Sequence, residues 1–130
     1  MKIVIDDKIP YIRDAISRIT DDAVYLKGSE IGPGDVRDAD ALIVRTRTRC
    51  DEKLLSGSRV RFVATATIGF DHIDAAYLER AGIEWMSCPG CNSASVAQYL
   101  RSVLILLKRD KGMRPESSTI GIVGCGHVGS

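Results

Sequence analysis

Aromatic side chains are scarce in this chain, at 5% of its 130 residues, and histidine is scarcer still, with two. No apolar run is long. The longest uncharged one spans 103–107, far short of the roughly 20 residues a bilayer-crossing helix needs. Neither sign of charge dominates: 18 Lys and Arg against 17 Asp and Glu leave a net charge of +1. That balance argues against a protein built mainly to hold nucleic acid, because neutralising phosphates takes a basic excess. A secretory leader is also missing from the expectation. The apolar run at 3–5 is too short for one, and two aspartates follow it at once. The expected compartment is the cytoplasm, where Cys50, Cys88, Cys91 and Cys125 read as reduced thiols rather than a disulfide framework. What is present is 45% hydrophobic and 27% charged, the composition of a globular protein. The length allows one domain, or one and part of another.

Short runs rich in Ile and Val predict strands over 2–5, 23–26, 41–44, 61–64, 83–86 and 119–123. Continuous apolar runs of this kind belong to parallel strands covered on both faces. Helical spacing predicts helices over 11–19, 51–55, 72–81 and 93–109, with 28–40 a loop that has room for one helical turn. Strand and helix in alternation mean an α/β fold with a parallel sheet. Asp71 is the expected cap of the helix over 72–81, and Gly82 its left-handed terminator. In the last helix Val96, Leu100, Val103, Leu104 and Leu107 form one apolar stripe. Asn92 or Ser93 can cap its start. Gly112 and Pro115 then break it, so 110–118 reads as linker. The run at 119–123 has no sheet of its own to join, and a lone parallel strand leaves backbone groups unpaired. It is expected to open a second domain, with a sixth strand in the first sheet as the alternative.

Gly124-Cys125-Gly126-His127-Val128-Gly129 is G-x-G-x-x-G placed directly after an expected strand. In a dinucleotide-binding unit the first glycine permits the tight turn, the second lets the backbone approach a pyrophosphate, and the third lets a helix pack close. Thr65 to Asp74 lies between a strand end and a helix start, where open parallel sheets collect ligands. The hydroxyls of Thr65 and Thr67 and the amide of Gly69 suit a carboxylate or a hydroxyl group; a plain turn is the competing account. Arg45, Arg47 and Arg49 follow the third strand and fall on one side if that segment is extended. Arg45, at the strand end, is the favoured anion contact.

Cys88-Pro89-Gly90-Cys91 could be a redox pair or half a zinc site, but no second ligand pair accompanies it, so no metal site is expected. Asp6-Asp7 could chelate magnesium in a receiver-like binding module. Arg45 stands where such a module needs an aspartate, so the pair reads better as cap and turn former. Neither histidine has a catalytic partner nearby in sequence.

These pieces in this order resemble the D-isomer specific 2-hydroxyacid dehydrogenases. The resemblance covers the whole chain. It implies a flavodoxin-like substrate domain over 1–92, a linking helix and linker over 93–118, and the start of a Rossmann NAD-binding domain over 119–130. Within the family, Pro10-Tyr11, the segment 62–74 and Pro89-Gly90-Cys91-Asn92 are similar to members that oxidise 4-phospho-D-erythronate with NAD on the route to pyridoxal phosphate. Phosphoglycerate-type members are the alternative. The resemblance implies substrate contacts at Thr46, where serine is more usual, and at Thr67, Arg45 and Gly69. It implies NAD contacts at Gly124, Gly126, His127, Val128 and Gly129. The partner it implies is a small phosphorylated 2-hydroxy acid, with the full-length enzyme a homodimer. The family's histidine, glutamate and arginine that act on the substrate have no counterpart within 1–130, so no catalytic residue is expected in this chain, and alone it should be silent.

Overall fold

The computed structural model describes residues 1–124, 126 and 127, apart from the side chain of Pro115. It divides into two compact units, Met1–Cys88 and Pro89–Ser130. The first unit alternates strand and helix: β1 Ile3–Asp6, α1 Ile12–Ile16, β2 Ala23–Leu26, α2 Pro33–Val36, β3 Ala41–Val44, α3 Glu52–Leu55, β4 Phe62–Thr65, α4 Ala75–Arg80 and β5 Glu84–Met86. The five strands are parallel, in the order β2-β1-β3-β4-β5. This is the flavodoxin-like arrangement, in which the chain leaves β1 first toward one edge and then toward the other.

Both faces of the sheet are buried at the central strands β1 and β3, which is why those strands are apolar without alternation. Successive strand side chains point to opposite faces. Val4, Leu42, Val44 and Val63 therefore join one core with Val36, Leu54, Leu55 and Leu78 from α2, α3 and α4. Ile3, Ile5 and Ala41 join the other with Ile16 of α1.

The expected strands over 2–5, 23–26, 41–44, 61–64 and 83–86 all form, displaced by one residue at most. The helices α1, α3 and α4 are shorter than their patterns. The turn expected within 28–40 is α2, with Pro33 in its first turn. The cap of α4 is Asp74 rather than Asp71: its Oδ1 accepts from Tyr77 N at 3.0 Å. The reason lies upstream, where Ile73 pairs with Cys50 in an isolated bridge and so delays the helix. Gly82 takes the left-handed conformation, φ 68°.

In the second unit, α5 runs over Ser93–Lys111 and stops at Gly112, φ 64°. Asn92 occupies the cap position without a side-chain bond to the helix, while Ser93 Oγ donates to Gly90 O at 2.8 Å. A 3-10 turn follows at Pro115–Ser117. The strand expected at 119–123 does not form. That segment is irregular, with Ile120, Ile122 and Val123 exposed. Among the described residues it pairs with no strand, and an extended segment without a paired neighbour has no ladder to hold it.

Candidate functional site

The carboxyl ends of β3 and β4 deliver the segments 45–49 and 66–74. The second is tied down at several points. Ala66 N donates to Val44 O at 2.9 Å, Cys50 N to His72 O at 2.8 Å, and Asp74 N to Cys50 O at 2.9 Å. Phe70 packs on Trp85 with ring centroids 5.1 Å apart. Between the two segments lies a cavity of about 410 Å³ lined by Thr46, Arg47, Arg49, Thr67, Gly69, Asp71 and His72.

One side of this cavity is a run of hydrogen bonds. His72 Nε2 meets Thr65 Oγ1 at 2.9 Å, Thr65 Oγ1 meets Thr67 Oγ1 at 2.7 Å, and Thr67 Oγ1 donates to Gly69 O at 2.9 Å. Thr65 and His72 are buried. Burial holds the His72 imidazole below its usual pKa, with the Asp71 carboxylate pulling weakly the other way. An imidazole and hydroxyls, with Arg47 and Arg49 also lining the cavity, suit a polar, anionic small molecule.

Of the expected substrate contacts, Thr46, Thr67 and Gly69 come together in this one cavity. Arg45 does not join them. Segment 45–49 is a turn, closed by Thr48 N donating to Arg45 O, so the extended alternation does not apply; Arg47 and Arg49 line the cavity and Arg45 does not. Thr48 points inward, its Oγ1 donating to Gly28 O at 2.7 Å. Arg45 donates to Lys8 O at 3.1 Å and lines a neighbouring cavity of about 370 Å³ with Asp6, Lys8, Lys27, Thr46 and Arg47. Sequence reasoning passed over His72 as a site residue, read Asp71 only as a cap, and preferred Arg45 to Arg47 and Arg49, which line the cavity. His72 bonds to Thr65, seven positions back, and only the folded loop joins them.

Asp6 is a turn former as expected, its Oδ1 accepting from Lys8 N at 2.9 Å. Cys50, Cys88 and Cys91 are free thiols. Among the described residues no group of three His, Cys, Asp or Glu gathers to hold a metal. No described helix is long and apolar enough to cross a membrane.

In the second unit Gly124 has φ 91°, a backbone that suits the tight first turn of a phosphate-binding loop. The His127 ring packs against Gly90, 3.1 Å from where a Cβ there would stand. Val128 and Gly129 lie outside the described residues.

A parallel sheet with a cavity lined by polar residues at its carboxyl ends is the arrangement in which α/β proteins collect ligands. The model of the D-isomer specific 2-hydroxyacid dehydrogenase catalytic domain matches residues 4–119, and the chain belongs to that family. It is 61% identical over its whole length to an erythronate-4-phosphate dehydrogenase of Bacteroides fragilis, of which it covers 37%. It is 43% identical over 99% of its length to the erythronate-4-phosphate dehydrogenase of Escherichia coli O157:H7, of which it covers 34%. The chain thus spans about a third of the length of these relatives. Among solved structures, an NAD-bound 3-phosphoglycerate dehydrogenase of Entamoeba histolytica matches with a TM-score of 0.69 at 28% identity, covering 99% of this chain and 48% of that one. A D-lactate dehydrogenase of Aquifex aeolicus has the same fold, with a TM-score of 0.69 at 21% identity over 98% of this chain and 46% of that one.

Proposed function

We propose that this chain is the substrate-binding part of an NAD-dependent enzyme that oxidises 4-phospho-D-erythronate to 2-oxo-3-hydroxy-4-phosphobutanoate, a step toward pyridoxal phosphate. The observation that carries the reading is the convergence of Thr46, Thr67 and Gly69 in one polar cavity; the 61% identical relative names the substrate. In this reading 1–92 is the substrate domain, 93–118 the linking helix and linker, and 119–130 the opening of the cofactor domain. The full-length enzyme works in the cytoplasm as a homodimer.

Thr46 and Thr67 hold the substrate by their hydroxyls, Gly69 offers its backbone amide to the carboxylate, and Arg45 approaches from the adjoining cavity. Gly124, Gly126, His127, Val128 and Gly129 would hold the NAD pyrophosphate, and the positive φ of Gly124 fits that use. There NAD would supply the acceptor for the hydride leaving C2. The base that takes the C2 hydroxyl proton is not among the residues of this chain.

The test measures NADH formation by the full-length enzyme. It should favour 4-phospho-D-erythronate over 3-phosphoglycerate by roughly tenfold or more in kcat/KM, the discrimination expected of a substrate-matched pocket. A preference for 3-phosphoglycerate would overturn the assignment. The 130-residue chain alone should give no turnover with NAD and either substrate, and turnover by it would show that the base lies within 1–130.

A further inference from the structure

Thr67 Oγ1 donates to the Gly69 carbonyl oxygen at 2.9 Å. A carbonyl only accepts, so the single hydroxyl proton of Thr67 is committed there. Thr65 Oγ1 lies 2.7 Å from Thr67 Oγ1, and with the Thr67 proton engaged elsewhere, Thr65 must be the donor. That commits the one proton of Thr65. At the 2.9 Å contact between Thr65 Oγ1 and His72 Nε2, the imidazole therefore donates. The bonds run in one direction, from His72 Nε2–H through Thr65 and Thr67 to Gly69 O. Thr65 and His72 are 4% and 9% exposed, so bulk water does not compete for the inner links.

A hydroxyl oxygen has two acceptor sites. One on Thr67 is taken by Thr65, and the other remains for whatever occupies the cavity that Thr67 lines. Thr67 thus offers a ligand an acceptor and no donor. It cannot pair with a carboxylate or phosphate oxygen, which also only accept, but it can pair with a hydroxyl. On the reaction proposed above, the C2 hydroxyl must give its proton to the base and is not free to give it to Thr67.

We propose that Thr67 accepts a hydrogen bond from the C3 hydroxyl of the substrate, and that His72 is the positioning residue that fixes this polarity through Thr65. The assignment rests on the proposed function. It makes Thr67 a specificity determinant, because 3-phosphoglycerate carries its phosphate on the C3 oxygen and has no hydroxyl there to donate.

The experiment compares, in the full-length enzyme, kcat/KM for 4-phospho-D-erythronate with that for D-2-hydroxy-4-phosphobutanoate, which lacks only the C3 hydroxyl. The wild type should prefer the hydroxylated substrate by roughly three- to tenfold, the effect of one neutral hydrogen bond. Thr67→Val should bring the ratio close to unity. His72→Phe should lower it, and His72→Gln, whose side-chain amide can donate to Thr65, should restore it. A wild-type ratio near unity would overturn the role of Thr67 without any variant being needed, as would Thr67→Val losing equally on both substrates. An equal ratio in His72→Phe and wild type would overturn the role of His72. Absence of turnover on both substrates would overturn the function itself, whereas equal turnover of both leaves the function standing and removes only this assignment.

Discussion

His72 shows how a single buried side chain couples the site to pH. Its folded-state pKa lies below the ordinary value because burial penalises the imidazolium more than the Asp71 charge favours it. The unfolded chain therefore takes up a proton more readily than the folded one. The stability this group contributes is full above its ordinary pKa of about 6.5 and is lost as pH falls through the lower folded value. Thermal melts should fall more steeply from about pH 7 to about pH 5 in the wild type than in His72→Gln; identical slopes would place the acid sensitivity elsewhere. Cys50 is the second residue whose surroundings decide its chemistry. Burial, aided by the Asp51 charge, pushes its thiol pKa up to about 12. Cys88 and Cys91 are exposed. A thiol reagent near pH 8 should modify those two and leave Cys50 untouched until denaturant is added. Peptide mass mapping reads this directly, and native labelling of Cys50 would contradict it. Thr67 and Gly69 stand out in the sequence because they follow a strand end, where parallel sheets gather ligands, and Thr46 stands out only through the family resemblance; the fold sets all three against one cavity. His72 was not legible, because its partner is joined to it by the loop's fold and not by any spacing a sequence displays. The choice among the arginines was not legible for a related reason: alternation holds only for extended backbone, and segment 45–49 turns, with Thr48 bonded inward to Gly28 O.

At the scale of elements, close approach decides more than propensity. Gly28 follows β2, and a Cβ there would stand 2.4 Å from Asp6 Oδ2, at the buried carboxylate that ends β1. Gly28→Ala must displace that carboxylate and should cost roughly 1–3 kcal/mol, as overpacking does. Gly34, inside α2, has nothing within 4 Å of its would-be Cβ, so Gly34→Ala should stabilise by about 0.5 kcal/mol or slightly more through helix propensity. Urea unfolding of the two variants checks the opposite signs; effects of the same sign would show that local packing does not govern them. The strands were readable because both faces of the sheet are covered at β1 and β3, whose residues are mostly buried, and because the edge strands keep Val, Tyr, Leu, Trp and Met beside their neighbours. The start of α4 was not readable. Asp71 and Asp74 are both good caps, and the bridge between Cys50 and Ile73, set by residues more than twenty positions apart, chooses the later one. The run at 119–123 has the composition of a strand, but a strand is defined by its neighbour, and composition carries no information about that.

The two units of the molecule differ in what holds them. In the first, Leu42 is fully buried in the core on one face of the sheet, with Val4, Val44 and Val63 around it. In the second, α5 has 19 residues and none of them is buried; Leu106, for example, is 45% exposed. Such a helix stands largely on its own backbone bonds and end groups, whereas most helical stability in proteins comes from packing an amphipathic face. Local opening should therefore be far easier in α5 than in β1 and β3. Hydrogen exchange on the 130-residue chain should find amides of 93–111 exchanging well before those of 3–6 and 41–44. The same contrast should appear in substitutions of one chemical kind. Leu42→Ala leaves a cavity in a close-packed core and should cost about 2–5 kcal/mol. Leu106→Ala removes a side chain already half in water and should stay within about 0.5 kcal/mol. If Leu106→Ala proved as costly as Leu42→Ala, or the α5 amides exchanged as slowly as those of β1, the helix would have to be packed in solution against a surface that covers it.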